Sequence, residues 1–542
     1  RLLNQWNHTN PTARDDLITL ETRAVYRHIF ASKLEPSATV ESLKMKLKRF
    51  KAQNHLKIVK CALEQRNFYV TQKYMGRTKN EVSSVEDRNW WELYNSRLFL
   101  LRAQLERDPT CLKVQKTLNA WDGIKRLQGR NATMSLEAPL NLALLYHTAE
   151  FYSTLLCVVQ KAPDVVDQLA EDVRRRLDQH LDPTKGDIPS QLKNQVLNCL
   201  HQAVGVDQKA DSLADSYLRL VRFCHKQEDP MYHSELIKSL LRAMRHGSAE
   251  ARRLFPCLLE LPLLLHKDLF VDESGQVPEW MFLTWVSQLL ASLDTEIGSV
   301  LAPLLVRLAT AYPKALQFPF QLSCEMYKHD YPITNLTVNR LKPLLALDTQ
   351  TATTVQALAC VCQPHHCLVY HLDRLIMALA QDTDSINDIH LQMKTEAYPP
   401  EEGDRIKGRA FNDLKQFTVE IEEVLNKYFK KKLTKVQCEN TLKEKLNAVR
   451  QYGKSKQSQI KRNKRIELSS FSPWLADGYE GEVEIPGQYT GESRPLPQQH
   501  VTIVGFKRHV KSQPSLRAPV QVTVLGNDAK DHRLLVKFGE DL

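Results

Sequence analysis

The chain has 542 residues, 42% of them hydrophobic, with only 18 Gly. At about 150 residues per domain this length suggests three or four domains or one long repeat array. The apolar share excludes wholesale disorder, and the scarcity of Gly argues against an all-β chain built on tight turns. Lys and Arg number 74 against 63 Asp and Glu, a formal +11. The excess is local: between Lys427 and Arg465 there are 14 Lys/Arg against Glu439 and Glu444, a net +12. The rest of the chain is nearly neutral, so the basic balance alone makes no case for a nucleic-acid-binding protein.

The first residues, Arg1-Leu2-Leu3-Asn4-Gln5-Trp6, carry no Met and no secretory pattern. No uninterrupted apolar run reaches the ~18 residues that a membrane helix needs, so no membrane attachment is expected. The last residues stop inside what reads as structure, which marks the sequence as a fragment at both ends. Eleven Cys without a dense framework fit free thiols in a reducing compartment.

From about Asp15 to Tyr452 the dominant signal is helical periodicity. Leu213, Tyr217, Leu220, Val221 and Cys224 fall on one helix face. Asp229-Pro230 offers a cap and a first-turn proline for the next helix, whose stripe is Ile237, Leu240, Leu241 and Met244. Gly247 is placed to end it, and Ser248 to cap a third helix carrying Phe255 and Leu258. Similar helices are expected at 57–75, 90–107, 140–160, 294–312, 348–362 and 404–430. Apolar faces repeated in this way predict a stacked α-solenoid of TPR/HEAT-like helix pairs. Trp90, Trp91 and Trp121 read as packing anchors.

Cys360-Val361-Cys362-Gln363-Pro364-His365-His366-Cys367 gathers five potential zinc ligands in eight residues. The spacing matches no common metal site, so a helix end with buried Cys and exposed His is expected, and no metal. After Tyr452 the run Gly453–Gln459 is polar without period and reads as a linker. Short β-branched runs follow at 501–506, 520–525 and 534–536, with Gly526-Asn527-Asp528 as turn residues, predicting a small antiparallel sheet.

Lys537 ends the third predicted strand. An ammonium on a rigid strand suits nucleotide phosphates, although a lysine there is more commonly a solvated edge charge. The preceding loop, Lys511 to Arg517, offers hydroxyls and backbone N–H groups that could cover phosphates, or is an ordinary hairpin turn. In the basic segment, Lys430, Lys431, Lys432, Lys461, Arg462, Lys464 and Arg465 are candidate phosphate contacts to nucleic acid; charge runs are otherwise solvated faces.

Three stretches carry more than periodicity. Tyr312-Pro313-Lys314-Ala315-Leu316-Gln317-Phe318-Pro319-Phe320 resembles a signature in the FAT domain of the phosphatidylinositol-3-kinase-related protein kinases. Ser472-Pro473-Trp474-Leu475-Ala476-Asp477, then Val483-Glu484-Ile485-Pro486-Gly487-Gln488-Tyr489, looks like the lead-in to that family's kinase domain. Val536-Lys537-Phe538-Gly539-Glu540-Asp541-Leu542 is similar to its strand-3 motif, with Phe538 in place of a Gly. The resemblance implies a mostly α chain: a FAT-type helical region over 1–400, an FRB-like segment over 401–453, a basic linker over 454–470 and a truncated α+β kinase N-lobe over 471–542.

By the same likeness Lys537 matches the ATP-phosphate lysine, and Ser512, Ser515, Leu516 and Arg517 lie over the phosphate loop, where Pro514 departs from the usual small residue. The family's catalytic loop and magnesium motif would lie beyond Leu542, so the chain alone is expected to hold no catalytic residue and no activity; ATP and Mg serve the complete protein. The likeness implies a nuclear Ser/Thr kinase of double-strand-break repair by non-homologous end joining, with the Ku heterodimer and DNA ends as partners of the whole protein. Alternatives are a non-catalytic scaffold like the family's pseudokinase member, against which the retained Lys537 weighs, and a checkpoint or nutrient-sensing kinase.

Overall fold

The computed structural model describes residues 16–107, 111–179, 181, 187–207, 210–361, 364–381, 385–401, 404–460, 466–513 and 519–537. The chain divides into two compact units, 1–277 and 278–542, a boundary that coincides with none of those expected at 400, 453 and 470.

The first unit is a succession of helices: α1 (Leu17–Leu34), α2 (Glu41–Glu64), α3 (Phe68–Glu81), α4 (Val85–Leu105) and α5 (Cys111–Met134). They are followed by α6 (Ala138–Lys161), α7 (Ile188–Val206), α8 (Ala210–Gln227), α9 (His233–Arg245) and α10 (Lys267–Gly275). Neighbours in sequence pack on one another, α1 on α2, α4 on α5, α6 on α7 and α8 on α9, the layering of an α-solenoid. Short polar side chains start them. Asp16, Asn67 and Ser84 accept the N–H groups of Thr19, Val70 and Asp87, three residues on, satisfying donors that a helix leaves open.

The helix expected at 57–75 is two. Arg66 takes a positive φ of 55°, and Asn67 caps a new helix at Phe68. The apolar pattern runs on across the break because Ile58, Val59, Ala62, Val70 and Tyr74 fill one core. In the 211–260 stretch Gly247 takes φ 82°, its N–H and that of Ser248 bond back to Met244 and Ala243, and Ser248 caps the next helix as expected. Pro230, however, opens a 3-10 turn ahead of α9, and Pro256 splits the third helix into Ala249–Leu254 and Pro256–Leu259. Ile237, Leu240, Leu241 and Met244 are fully buried, and truncating any one to Ala would cost about 2–5 kcal/mol.

Helix α6 is long and apolar enough to cross a membrane by length and composition, although polar residues interrupt its apolar run. Its Leu144, Phe151, Leu155 and Val158 are buried, and it packs on α5 and α7. Trp121 meets the rings of Phe151 and Tyr152, and the Trp91 indole donates to the Met75 carbonyl, as packing anchors would.

In the second unit follow α11 (Gly298–Ala311), α12 (Pro313–Met326), α13 (Pro332–Leu344), α14 (Thr349–Val361) and α15 (Pro364–Gln381). Then come α16 (Ile386–Ala397), α17 (Lys415–Phe429) and α18 (Lys435–Ile460). Leu368, Leu372, Leu375, Met393, Ile421, Leu425, Leu442 and Val449 join α15 to α18 in one core. The helix expected at 404–430 begins only at Lys415, after a 3-10 turn over Arg409–Leu414.

The expected linker over Gly453–Gln459 is instead the end of α18. Gly453 is there for closeness rather than for a turn: a Cβ on it would stand 2.4 Å from the His365 ring. His365, expected to be exposed, is only 5% exposed for the same reason, while Cys360 and Cys367 are buried as expected.

One buried group makes a pH prediction. His147 on α6 lies within 2.8 Å of Ser96 Oγ, which donates to the Ala120 carbonyl at 2.5 Å. The imidazole therefore donates and stays neutral, and burial drives its pKa down to about 3, with Arg97 adding repulsion. A folded pKa below the unfolded ~6.5 means stability that is complete above pH ~6.5 and lost as pH falls toward the folded value. Urea unfolding of the parent and of His147→Gln should show that the variant is the less pH-dependent of the two between pH 7 and 5.

Candidate functional site

The sheet is built from β1 (Ile466–Glu467), β2 (Ile503–Phe506), β3 (His509–Ser512), β4 (Val520–Gly526) and β5 (Asp531–Val536). All pairings are antiparallel. β2 and β3 run consecutively along one edge of β4, pairing first with Gly526–Val524 and then with Gln521 and Val520; β5 lines the other edge. The three runs read from sequence are β2, β4 and β5, whereas β3 is a further strand that takes in Lys511 and Ser512, where a loop was expected. The pairing of β1 with β3 was not foreseen, because two residues carry no readable alternation.

Alternation assigns the two faces. Val520, Val522 and Val524 are fully buried, and with Ile503, Phe506 and Val510 they pack on Leu468, Phe471, Leu475 and on Ala357 and Val361 of α14. Leu534 and Val536 lean into the same core. Leu535 points the other way and is 51% exposed, as are Val504 and Leu525 in part.

Lys537 follows Val536, which pairs with Val520, which pairs with Ser512. One step further out, Lys537 comes level with Pro519 and Gln513, whose N–H donates to the Pro519 carbonyl at 2.8 Å and closes the base of the 513–519 loop. Alternation puts Lys537 on the open face with Leu535 and Gln521, and it is exposed. Gln513 shares that face, since its amide donates to Gln521 Oε1 at 3.0 Å. Ser512 does not: it is half-buried on the face of Val510 and Val520. Ser515, Leu516 and Arg517, like Phe538 to Leu542, lie outside the described residues. The geometry therefore places a strand-end ammonium beside a hairpin loop, on a face with no helix of this sheet's core beneath it.

What seats the sheet is a junction between the two motif stretches. Tyr312 precedes α12, and Pro313 opens it, where a missing N–H costs nothing. Lys314 Nζ donates to Glu484 Oε1 at 2.9 Å, and His500 Nδ1 lies 2.9 Å from Glu484 Oε2. The Tyr489 ring stands edge-on to His500 and to Tyr312, at 4.7 and 6.3 Å. Ile485 and Ile503 exchange backbone bonds with Val501 and Val483, and the Gln488 side chain bridges Ile485 and Val501. Gly487 turns the chain with φ 94°. Gly491, at φ 70°, lets the backbone reach Thr284, whose hydroxyl donates to Thr490 O at 3.2 Å; a Cβ there would meet Thr284 Oγ1 at 2.4 Å. A cavity of about 460 Å³ adjoins the junction, lined by Phe318, Gln350, Ile485 and Tyr489 among others; neither Lys537 nor Ser512 is among its described lining residues.

Lys430, Lys431 and Lys432 form the turn after α17, all exposed, with Lys431 at φ 56°. Other cations of the basic segment are committed elsewhere: Lys445 to Glu420, Lys443 to Glu439 and Arg450 to Asp373. Lys461, Arg462, Lys464 and Arg465 lie outside the described residues. Sequence reading missed two groupings assembled across helices, His28 with His55 and Glu81, and Cys367 with His371 and Glu396. No linear spacing announces them.

Burial pushes the Glu484 carboxyl up, but hydrogen bonds from His500, Lys314 and Tyr489 outweigh it and hold the group below its ordinary 4.5. A depressed carboxylate contributes stability above its unfolded pKa that is lost as pH falls through the folded one. Glu484→Gln should cost about 1–2 kcal/mol at neutral pH and lose that acid sensitivity, read by denaturant unfolding at pH 7 and 4. Lys314→Met, at a half-exposed position, should cost less than about 1 kcal/mol.

No family model matches the chain. It is 26% identical over 628 aligned positions to the DNA-dependent protein kinase catalytic subunit of Canis lupus familiaris, covering 100% of this chain and 14% of that protein. The same protein of Xenopus laevis is 26% identical over 539 positions, 90% of this chain and 12% of the relative. Serine/threonine-protein kinase tor1 of Schizosaccharomyces pombe is 34% identical over 86 positions, 16% of this chain. The chain thus spans about an eighth of the catalytic subunits that it resembles, and its likeness to the phosphatidylinositol-3-kinase-related kinases, distant in identity, runs along its whole length.

Proposed function

We propose that this chain, a piece of a phosphatidylinositol-3-kinase-related kinase, is the helical-repeat region and the opening strands of the N-lobe of a Ser/Thr protein kinase of the DNA-dependent type. The observation that carries the proposal is the register that sets Lys537 level with the base of the 513–519 loop, on the open face of a sheet seated on α14. Bound ATP with Mg would supply the transferable phosphoryl group. Lys537 offers a fixed positive charge toward the phosphates, and the strand beneath it limits where that charge can move. The Lys314–Glu484–His500 junction holds the sheet on its helices, so that the half-site does not drift.

The likeness to catalytic subunits named DNA-dependent supports a role in nuclear double-strand-break repair by non-homologous end joining, with DNA ends and the Ku heterodimer as partners of the complete protein. The match to a tor1 kinase covers far less of the chain and weighs less for a nutrient-sensing role.

Phosphorylation of a Ser-containing peptide by the complete natural protein tests the site. Lys537→Ala should lower kcat at least a hundredfold, about 3 kcal/mol of transition-state stabilisation, and the isolated 542-residue chain should be inactive. Full activity in the variant would remove the lysine from the mechanism and favour a scaffold. For the exposed turn, replacing Lys430, Lys431 and Lys432 with Ala should reduce duplex-DNA retention and flatten its dependence on log[salt] by roughly one unit for each phosphate no longer neutralised. Unchanged retention would exclude the cluster.

A further inference from the structure

The first unit holds a chemical cluster that the kinase reading leaves unused. His28 on α1, His55 on α2 and Glu81, the last residue of α3, bring one donor atom each to within 4.8 Å of one another. The two imidazoles stack, with centroids 4.6 Å apart and planes at 20°. Glu81 reaches both: Oε1 lies 3.8 Å from His28 Nε2, and Oε2 lies 2.8 Å from His55 Nδ1. The shorter contact is misaligned. His55 Nδ1 and Glu81 Oε2 are both buried without a hydrogen bond, and so is His28 Nδ1. A buried polar atom left so costs about 1–3 kcal/mol, a cost that an ion held between these side chains would offset.

We propose that His28, His55 and Glu81 bind one divalent transition-metal ion, zinc foremost. Two imidazole nitrogens and one carboxylate oxygen are a donor set that suits zinc, copper and nickel rather than calcium or magnesium, which prefer oxygen cages. His55 is 3% exposed and forms the floor, whereas His28 and Glu81 are half-buried at a rim open to water. Three protein ligands at an open rim leave a fourth position for water, unlike a closed four-ligand structural site. Convergence on one ion asks the His28 ring to swing out of its stack, which its place at the rim allows. The nearest cations are engaged elsewhere: Lys51 with Glu35 at 2.6 Å, and Arg77 over the Tyr74 ring at 5.4 Å. An ion here would tie α1, α2 and α3 together, and binding to the folded state alone stabilises it by mass action.

Zinc chloride titrated calorimetrically into the chelator-treated chain tests this, with bound metal measured after desalting. One zinc per chain and a raised melting temperature are expected. Glu81→Gln and His28→Ala, each at the rim and each checked for a parent-like melt in chelator, should weaken zinc binding more than tenfold. Cys367→Ser, in the other grouping, should leave it unchanged. Cobalt should give the visible absorption of a tetrahedral site in the parent and lose it in both rim variants. No retained zinc in the parent, or equal retention in both rim variants, would overturn the assignment.

Discussion

The strongest constraint on the C-terminal site is the burial of one side of β4. Val520, Val522 and Val524 are all fully buried against α14 and the segment from Leu468 to Leu475. A strand has a period of two, so once that face is committed every partner in register is committed with it. Val536 must face the core because it pairs with Val520, and its successor Lys537 must face away. A slip of one residue would put the ammonium among valines, where an unpaired charge costs far more than the sheet could return. The position of the candidate phosphate contact thus follows from hydrophobic burial on the strands beside it.

The two motif stretches have physical roles that their spelling does not show. In the first, Pro313 starts a helix and Lys314 projects to a carboxylate far along the chain. In the second, Glu484 is the acceptor on which Lys314 and His500 meet, and Gly487 takes a positive φ that favours glycine. Glu484 and His500 are largely buried while Lys314 is half-exposed, so the Glu484–His500 contact is better shielded from salt than the Lys314–Glu484 pair.

Much of the fold was legible because amphipathic helices and alternating strands print their period in the sequence. The stripe Ile237, Leu240, Leu241, Met244 and the Gly247–Ser248 stop and start are visible without coordinates, and so are strands β2, β4 and β5. The break at Arg66 was hidden because both helices feed one core and the apolar rhythm continues through it. Gly453 misled in the other direction: a glycine followed by polar residues looks like a linker, and only the His365 ring packed on it shows why the helix runs on. Ser512 looked like a loop hydroxyl, but pairing with Val520 places it on the packed face. The His28–His55–Glu81 grouping left no trace, since its members stand on three helices and meet only through tertiary packing.

The contacts that seat the sheet join residues far apart in the chain: Lys314 with Glu484, separated by 170 positions, and Thr284 with Thr490, separated by 206. Closing such loops is slow, and the strands have little to gain until they are closed. Synthesis runs from the N-terminus, so α12 and α14 are finished before β4 emerges, and the valine-rich strand meets a waiting template. Released without those helices, the ribbon from Val501 to Val536 would carry one bare apolar side and an unguarded edge, the ingredients of aggregation rather than of a small free-standing domain.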